Sequence, residues 1–344
     1  MHIPDGYLGP QTYLPAWGAM APLWSLASSR LRRTLSFRQL PMTALAAAFT
    51  FVVMMFSVPL PGGTSGHAVG SVLVAVLLGP WAAVVAVSLA LAVQALLFGD
   101  GGITALAANC LTMAVAMPFS GWWTYRLLAR TGRATLRRRQ AAAAAGGYVG
   151  VNVAALATGV LLGIQPHLAR DAAGRPLYCP FGLRAAVPAM AVAHLLVVGF
   201  VEAAVTALAL AWLERTGAAL ETPEAPPSRG ALRRLAIAVA ALVLASPLGL
   251  IAAARFGAGT AWGEWSAGEL SRIAGRLPAG FQRLAQLWRA PLPDYGPAGA
   301  ESSTPGAHAL WYLLSAVVGV AAVAAAAYAL RRLIARKGRD DRPA

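Results

Sequence analysis

Apolar residues run along this chain in long blocks separated by short breaks that are either basic or rich in glycine. An apolar block of about 18 residues or more is long enough to cross a bilayer as a helix. Blocks fall at 14–28, 42–58, 68–78, 82–98, 103–119, 141–164, 187–213, 232–254 and 309–330. The first is short and interrupted by Gly and Pro; the third is short for a full span and reads as tilted or partly interfacial. Seven segments followed by two more predict an all-α polytopic membrane protein of about nine spans. A Pro-, Glu- and Ala-rich stretch, 216–230, reads as a cytoplasmic linker. It divides the chain into 1–215 and a two-helix unit, 231–344, whose helices flank an exterior segment, 255–306.

The breaks set the sidedness. Arg30, Arg32, Arg33 and Arg38 follow the first block, and Arg126, Arg130, Arg133 and Arg137 to Arg139 follow the fifth. Arg331, Arg332, Arg336, Lys337 and Arg339 follow the last. Basic residues collect on the cytoplasmic side of short loops, so the N-terminus is expected outside and the C-terminus in the cytoplasm. Met1, the loop at 59–67 and the Gly99-Asp100-Gly101-Gly102 break then share the exterior face. The arginines of 255–306 run against this rule, but long loops translocate largely regardless of charge.

Composition agrees. Of 344 residues, 58% are hydrophobic and 12% charged, against about 25% charged in soluble domains. The net charge of +15 sits at the ends of apolar blocks, which argues for a lipid bilayer and against nucleic acid. Cys110 and Cys179 form no Cys-x-x-Cys pair. The polar, turn-rich start lacks the basic n-region of a cleavable signal. Lys337 is the only lysine and Gly follows it, so the chain holds no G-x-x-x-x-G-K-[ST] phosphate loop. ATP hydrolysis, where it is needed, comes from another polypeptide.

The candidate chemistry lies in the first six residues, Met1-His2-Ile3-Pro4-Asp5-Gly6. A free Met1 amine, the His2 backbone nitrogen and the His2 Nδ1 can close two fused chelate rings nearly in one plane, since the peptide unit between them is flat. Such a nitrogen-rich plane suits Ni(II) or Cu(II) better than Zn(II). Pro4 and the Asp5-Gly6 turn signal shape the terminus to fold back. The open corner calls for a second imidazole, and His67, at the end of Gly62-Gly63-Thr64-Ser65-Gly66-His67, is the candidate. Asp100, Ser65 and Asp5 are candidates to orient these groups from behind. His194 and Glu202 lie eight residues apart, on one face of one intramembrane helix, and are read as serving packing or coupling. Gln94, Asn109 and Asn152 read as interhelical hydrogen-bond donors. The unit 231–344, with His308 as its one histidine and no cysteine, is expected to contribute no metal ligand.

A rival reading uses some of the same residues. Gly63-Thr64-Ser65-Gly66-His67-Ala68-Val69-Gly70 fits the G-x-S-G-x-x-x-G nucleophile motif of rhomboid-type intramembrane serine proteases, with Ser65 as nucleophile and His194 as base. It leaves the N-terminus and the Gly-Asp-Gly-Gly break without a role.

Three motifs carry a resemblance. Met1 to Leu8 (MHIPDGYL), Pro61 to His67 (PGGTSGH) and Gln94 to Gly102 (QALLFGDGG) resemble the CbiM/NikM family, the substrate-capture (S) components of energy-coupling factor transporters for cobalt and nickel. The likeness covers about residues 1–214. It implies a seven-helix S component in the cell (inner) membrane that holds its metal in a plane through Met1, His2 and His67. It implies as partners a transmembrane coupling subunit and two cytosolic ATPase subunits, and no cofactor beyond the transported Ni(II) or Co(II). The last third resembles the two-helix accessory subunit of the nickel systems, with Pro293-Asp294-Tyr295-Gly296 near its Pro-Asp-Gly stretch; Tyr stands where Gly is expected. This tilts the expectation towards nickel.

Overall fold

The computed structural model of the chain describes residues 1–34, 40–60, 64–129, 135–216, 228–299 and 304–340. Gly62, Gly63, Arg38, Arg130, Arg133 and most of the expected linker, 217–227, lie outside the described residues. The rest is almost entirely helical, and the helices run back and forth between two ends of a bundle.

Helix α1 (Pro10–Thr34) carries two internal prolines and buries Ala16, Met20, Ala27 and Leu31. Helix α2 (Leu40–Met54) returns to a hairpin of β1 (Val58–Leu60) and β2 (Thr64–Gly66), in which Pro59 faces Ser65. Helix α3 (Ser71–Leu78) follows and stops at Gly79, where the chain turns into α4 (Pro80–Val93). At 1.5 Å per residue α3 is about 12 Å long. The block at 68–78 therefore holds a helix too short for a full crossing, in line with its length. A π-helical turn, Gln94–Phe98, ends the climb of α4 at the Gly-Asp-Gly-Gly break. The descent runs through α5 (Leu106–Asn109), a π-helical stretch (Cys110–Ala116) and α6 (Met117–Ala129). That is ten residues beyond the predicted end at 119.

Helix α7 (Leu136–Gly163) starts where the Thr135 side chain accepts the Arg138 N–H, a standard N-cap. Its small residues Ala143, Gly146, Gly147 and Gly150 let α6 and the later α10 approach closely. A short α8 (Gln165–Leu168) and a loop lead to α9 (Leu183–Ala193), a third π-helical turn (His194–Val198) and α10 (Gly199–Arg215). Arg139 and Glu214 pair at 2.7 Å where α7 begins and α10 ends.

The last third starts with α11 (Arg229–Ala245), capped by Ser228, and α12 (Pro247–Arg255). The segment that follows holds α13 (Ala267–Ala274), α14 (Ala279–Leu284) and a 3-10 turn (Pro293–Tyr295), and α15 (Pro305–Asp340) is the last helix described. Helices α11 and α15 pack on α2. Tyr312 on α15 donates its hydroxyl to the Met55 carbonyl.

Among the described residues five stretches are long and apolar enough to cross a membrane: Pro80–Phe98, Leu136–Leu168, Leu183–Arg215, Arg229–Ala252 and Pro305–Leu330. Pro41–Met54 is a shorter apolar helix. The expected polytopic all-α membrane fold is what is found.

Candidate metal centre

The first nine residues form no helix. They thread into one end of the bundle as an extended strap, held mostly through their backbone. The Asn109 side chain accepts the Ile3 N–H at 2.9 Å and donates to the Ile3 carbonyl at 3.1 Å. The Gly102 N–H reaches the same carbonyl at 2.9 Å. The Asp5 carboxylate accepts the N–H groups of Ile103 and Thr104 at 2.9 and 2.8 Å and also the Thr104 hydroxyl. The Tyr7 carbonyl takes the Cys179 N–H at 3.0 Å, and the Gly9 N–H donates to Gln165 at 2.9 Å. Two glycines are required here. A Cβ on Gly102 would stand 2.3 Å from the Asp5 nitrogen. Gly6 has φ +95° and presses against Phe281, so any side chain there would be strained and would clash. Ile3, Tyr7 and Leu8 are buried, each worth about 2 kcal/mol in burial.

This strap sets Met1 and His2 in place, 5% and 3% exposed. The His67 ring stacks on His2, with centroids 4.8 Å apart and planes 22° apart. His67 Nδ1 donates to the Ala68 carbonyl at 3.1 Å. A carbonyl can only accept, so the proton is on Nδ1 and Nε2 keeps a bare lone pair. Burial, then the nearby Met1 ammonium and His2, push the His67 imidazole well below its usual value. It is neutral at neutral pH, as a metal ligand must be.

His2 Nδ1 lies 2.9 Å from Asp100 Oδ1. Burial works to raise the Asp100 carboxyl, but the adjacent His2 outweighs it and holds the group well below the usual carboxylate range. Asp100 is an ionised acceptor, so His2 donates from Nδ1. The planar chelate expected from the sequence uses that nitrogen. In the structure it is turned towards Asp100, because the carboxylate claims its proton, and Nε2 is the nitrogen offered. Both Nε2 atoms, of His2 and of His67, are buried with no hydrogen-bond partner. Imidazoles oriented from behind by a carboxylate and a carbonyl, with the other nitrogen free, make the usual arrangement of metal-binding histidines.

The expected contributors separate. Met1, His2, His67 and Asp100 come together. Asp5 does not touch the histidines and instead pins the strap to the turn before α5. Ser65 lies on β2, along a cavity of about 810 Å³ that Met1, His194, Thr260 and Trp265 also line. His194 Nδ1 donates to the Met190 carbonyl of its own helix at 2.8 Å. Among the described residues no hydrogen bond joins Ser65 to His194. Glu202 reaches across from α10 to the base of the His67 loop, where its carboxylate accepts the Val69 N–H at 2.7 Å and the Gly70 N–H at 3.0 Å. Of the three presumed interhelical amides, Asn109 holds the strap, Gln94 donates to Asp100 and Tyr295, and Asn152 bonds the Tyr148 carbonyl of its own helix.

Two residues at the centre escaped the sequence reading, and both belong to the last third. Glu264 Oε1 accepts from the Met1 ammonium at 2.8 Å. Ligand atoms of His2, His67 and Glu264 lie within 4.8 Å of one another. Tyr295 donates its hydroxyl to Asp100 Oδ2 and receives the Gln94 amide at 3.1 Å. Burial and the adjacent Asp100 push its phenol well above the usual value, so it stays a neutral donor. Asp294 and Tyr295 have φ of 52° and 64°, a left-handed pair without glycine, the kind of costly backbone found where a site demands it. No charge or spacing signal in the sequence marked Glu264.

Comparison with known proteins shows the family. The family model "Cobalt uptake substrate-specific transmembrane region" (CbiM) matches residues 2–220, and the PDGLE domain matches residues 233–336. A "Fused nickel transport protein NikMN" of Rhodobacter capsulatus is 47% identical, over 98% of this chain and all of that one. A "Probable fused nickel transport protein LarMN" of Lactiplantibacillus plantarum is 43% identical over 93% of this chain and 94% of its own. A solved structure described as a truncated transition metal transporter is 49% identical, with TM-score 0.58, and covers 62% of this chain and 99% of its own. The chain belongs to the CbiM family of metal-transport membrane proteins, here joined in one polypeptide to a PDGLE domain.

Proposed function

We propose that this chain is the substrate-capture component of an energy-coupling factor uptake system, taking Ni(II) in preference to Co(II) at the outer face of the cell (inner) membrane. The ion is the cargo, held by the Met1 amine, His2 and His67. The observation that carries this reading is the pair of buried imidazole nitrogens without partners, His2 Nε2 and His67 Nε2, beside a buried N-terminal amine. Nitrogen donors suit nickel well, and the two most extensive relatives above bear nickel in their names. Delivery through the bilayer rests on partners: a transmembrane coupling subunit and two cytosolic ATPase subunits, since this chain has no phosphate loop. The site end of the bundle faces outward and the Arg139–Glu214 end faces the cytoplasm. The linker at 216–230 separates the capture domain, 1–215, from the accessory unit, 231–344.

Calorimetry with Ni(II) on the purified protein in detergent tests this directly. His67→Ala abolishes tight binding while the protein still folds; binding at the native level removes His67 from the site. The serine protease reading fares worse. Among the described residues no hydrogen bond joins Ser65 to His194, and the two imidazole nitrogens buried without partners belong to His2 and His67, beside Met1.

A further inference from the structure

We infer that Glu264, carried by the accessory unit, is an oxygen donor to the captured ion, so that the metal site is completed across the linker and not within the first domain alone. This rests on the capture reading above and adds to it a ligand that the first domain lacks.

Three observations support it. The first is distance. Two donors on opposite sides of an ion, each bound at about 2.1 Å, stand about 4.2 Å apart. Donor atoms of His2, His67 and Glu264 lie within 4.8 Å of one another, so a small inward movement closes them on one ion. The second is anchoring. Glu264 sits on a short turn fixed on both sides by the first domain. Thr64 donates its hydroxyl to the Thr260 carbonyl at 2.8 Å, and Tyr7 donates to the Trp265 carbonyl at 3.0 Å. Both anchors are neighbours of proposed ligands, Thr64 on the His67 hairpin and Tyr7 on the strap. Trp262 and Trp265 pack on Phe181 behind the turn, and a capping box between Ser266 and Glu269 starts α13 just beyond it. The third is charge. Glu264 pairs with a cation, the Met1 ammonium, and a divalent ion replacing those protons keeps the carboxylate paired.

The consequence is selectivity. A planar set of nitrogens alone favours Cu(II), which heads the affinity order for divalent first-row metals. A carboxylate adds a harder donor and raises the coordination number, which suits Ni(II) and Co(II).

The test uses the full-length protein in detergent, with Ni(II), Cu(II) and Co(II) as probes. Glu264→Gln is expected to lower Ni(II) affinity about tenfold or more, since even groups behind the ligands matter by 10–100-fold. Its Cu(II) affinity should fall less, so the Ni(II)/Cu(II) preference drops, and the visible d–d bands of the Co(II) form should change. Glu264→Asp keeps the oxygen but moves it; it should shift the Co(II) bands while losing less Ni(II) affinity. A purely structural role for Glu264 predicts that both ions weaken together and the bands hold still. Unchanged Co(II) bands and an unchanged Ni(II)/Cu(II) ratio in these variants, with His67→Ala still abolishing binding, would overturn the inference and leave the capture reading standing. Native binding in His67→Ala would sink both. Should Glu264→Gln fail to fold, Glu264→Asp carries the test alone, and bands identical to the native ones overturn the proposal.

Discussion

Two arms of the chain reach the metal centre, and they are built differently. The N-terminal strap, residues 1–9, is sunk in the bundle and fixed at nearly every second residue by backbone hydrogen bonds to buried amides and to the Gly-Asp-Gly-Gly turn. The segment between α12 and α15 lies over the same site. Its ties are spaced more widely along the chain: Thr260, Glu264, Trp265, Arg276 to Asp171, Phe281 to the Leu177 carbonyl, Trp288 to the Leu96 carbonyl, Leu292, whose N–H meets the Leu97 carbonyl, and Tyr295. Many of its side chains, Ile273, Leu287 and Trp288 among them, remain exposed. Closely spaced ties hold a backbone fixed; widely spaced ties leave the stretches between them open to local unfolding at lower cost.

The contrast yields graded predictions. The largest effect belongs to the fixed half. His67→Ala should cost more than about 100-fold in Ni(II) affinity, beyond what loss of an orienting group behind a ligand costs. Asn109→Ala strikes the strap without touching a ligand. It strands the buried Ile3 N–H, so the apo protein should lose about 2 kcal/mol of stability, read by thermal unfolding, and Ni(II) affinity should fall with it. On the overlying segment, Tyr295→Phe removes the hydroxyl that braces Asp100; Ni(II) affinity should drop by less than about tenfold, with unfolding almost unmoved because Phe98 and Tyr312 still pack the ring. The smallest effect is Ser65→Ala, which should leave Ni(II) binding within about twofold and abolish no fluorophosphonate labelling, since none is expected; the hydroxyl holds no ligand. A strap variant milder than Tyr295→Phe would reverse the comparison.

The fold was largely legible in the sequence because a bilayer permits few solutions. Apolar block length and basic breaks marked helix after helix, and the block at 68–78, short for a full span, holds a helix of only eight residues. The proposed ligands stood out for a chemical reason: a His beside an amine, and a lone loop His, are conspicuous in a chain with five histidines. What stayed hidden was long-range pairing. Asn109 looked like a helix-to-helix contact and instead receives the strap. Glu202 stood out as an intramembrane carboxylate, but nothing in its spacing pointed to the backbone of Val69 and Gly70. Glu264 resembled any loop acid, and its role depends on the accessory helices packing on α2, which no local pattern encodes. The pairing of His2 Nδ1 with Asp100, ninety-eight residues away, is likewise something that chelate geometry alone does not reveal.

The central claim is that the Met1 amine is itself a ligand. The direct test compares two forms of the protein with the same tag, one extended ahead of Met1 and one extended after Ala344, with bound Ni(II) measured for both at several pH values. The account predicts that the C-terminal form binds, more weakly as the pH falls because binding must displace protons from the nitrogens, and that the N-terminal form loses tight binding at every pH. Equal Ni(II) binding by the two forms would contradict it.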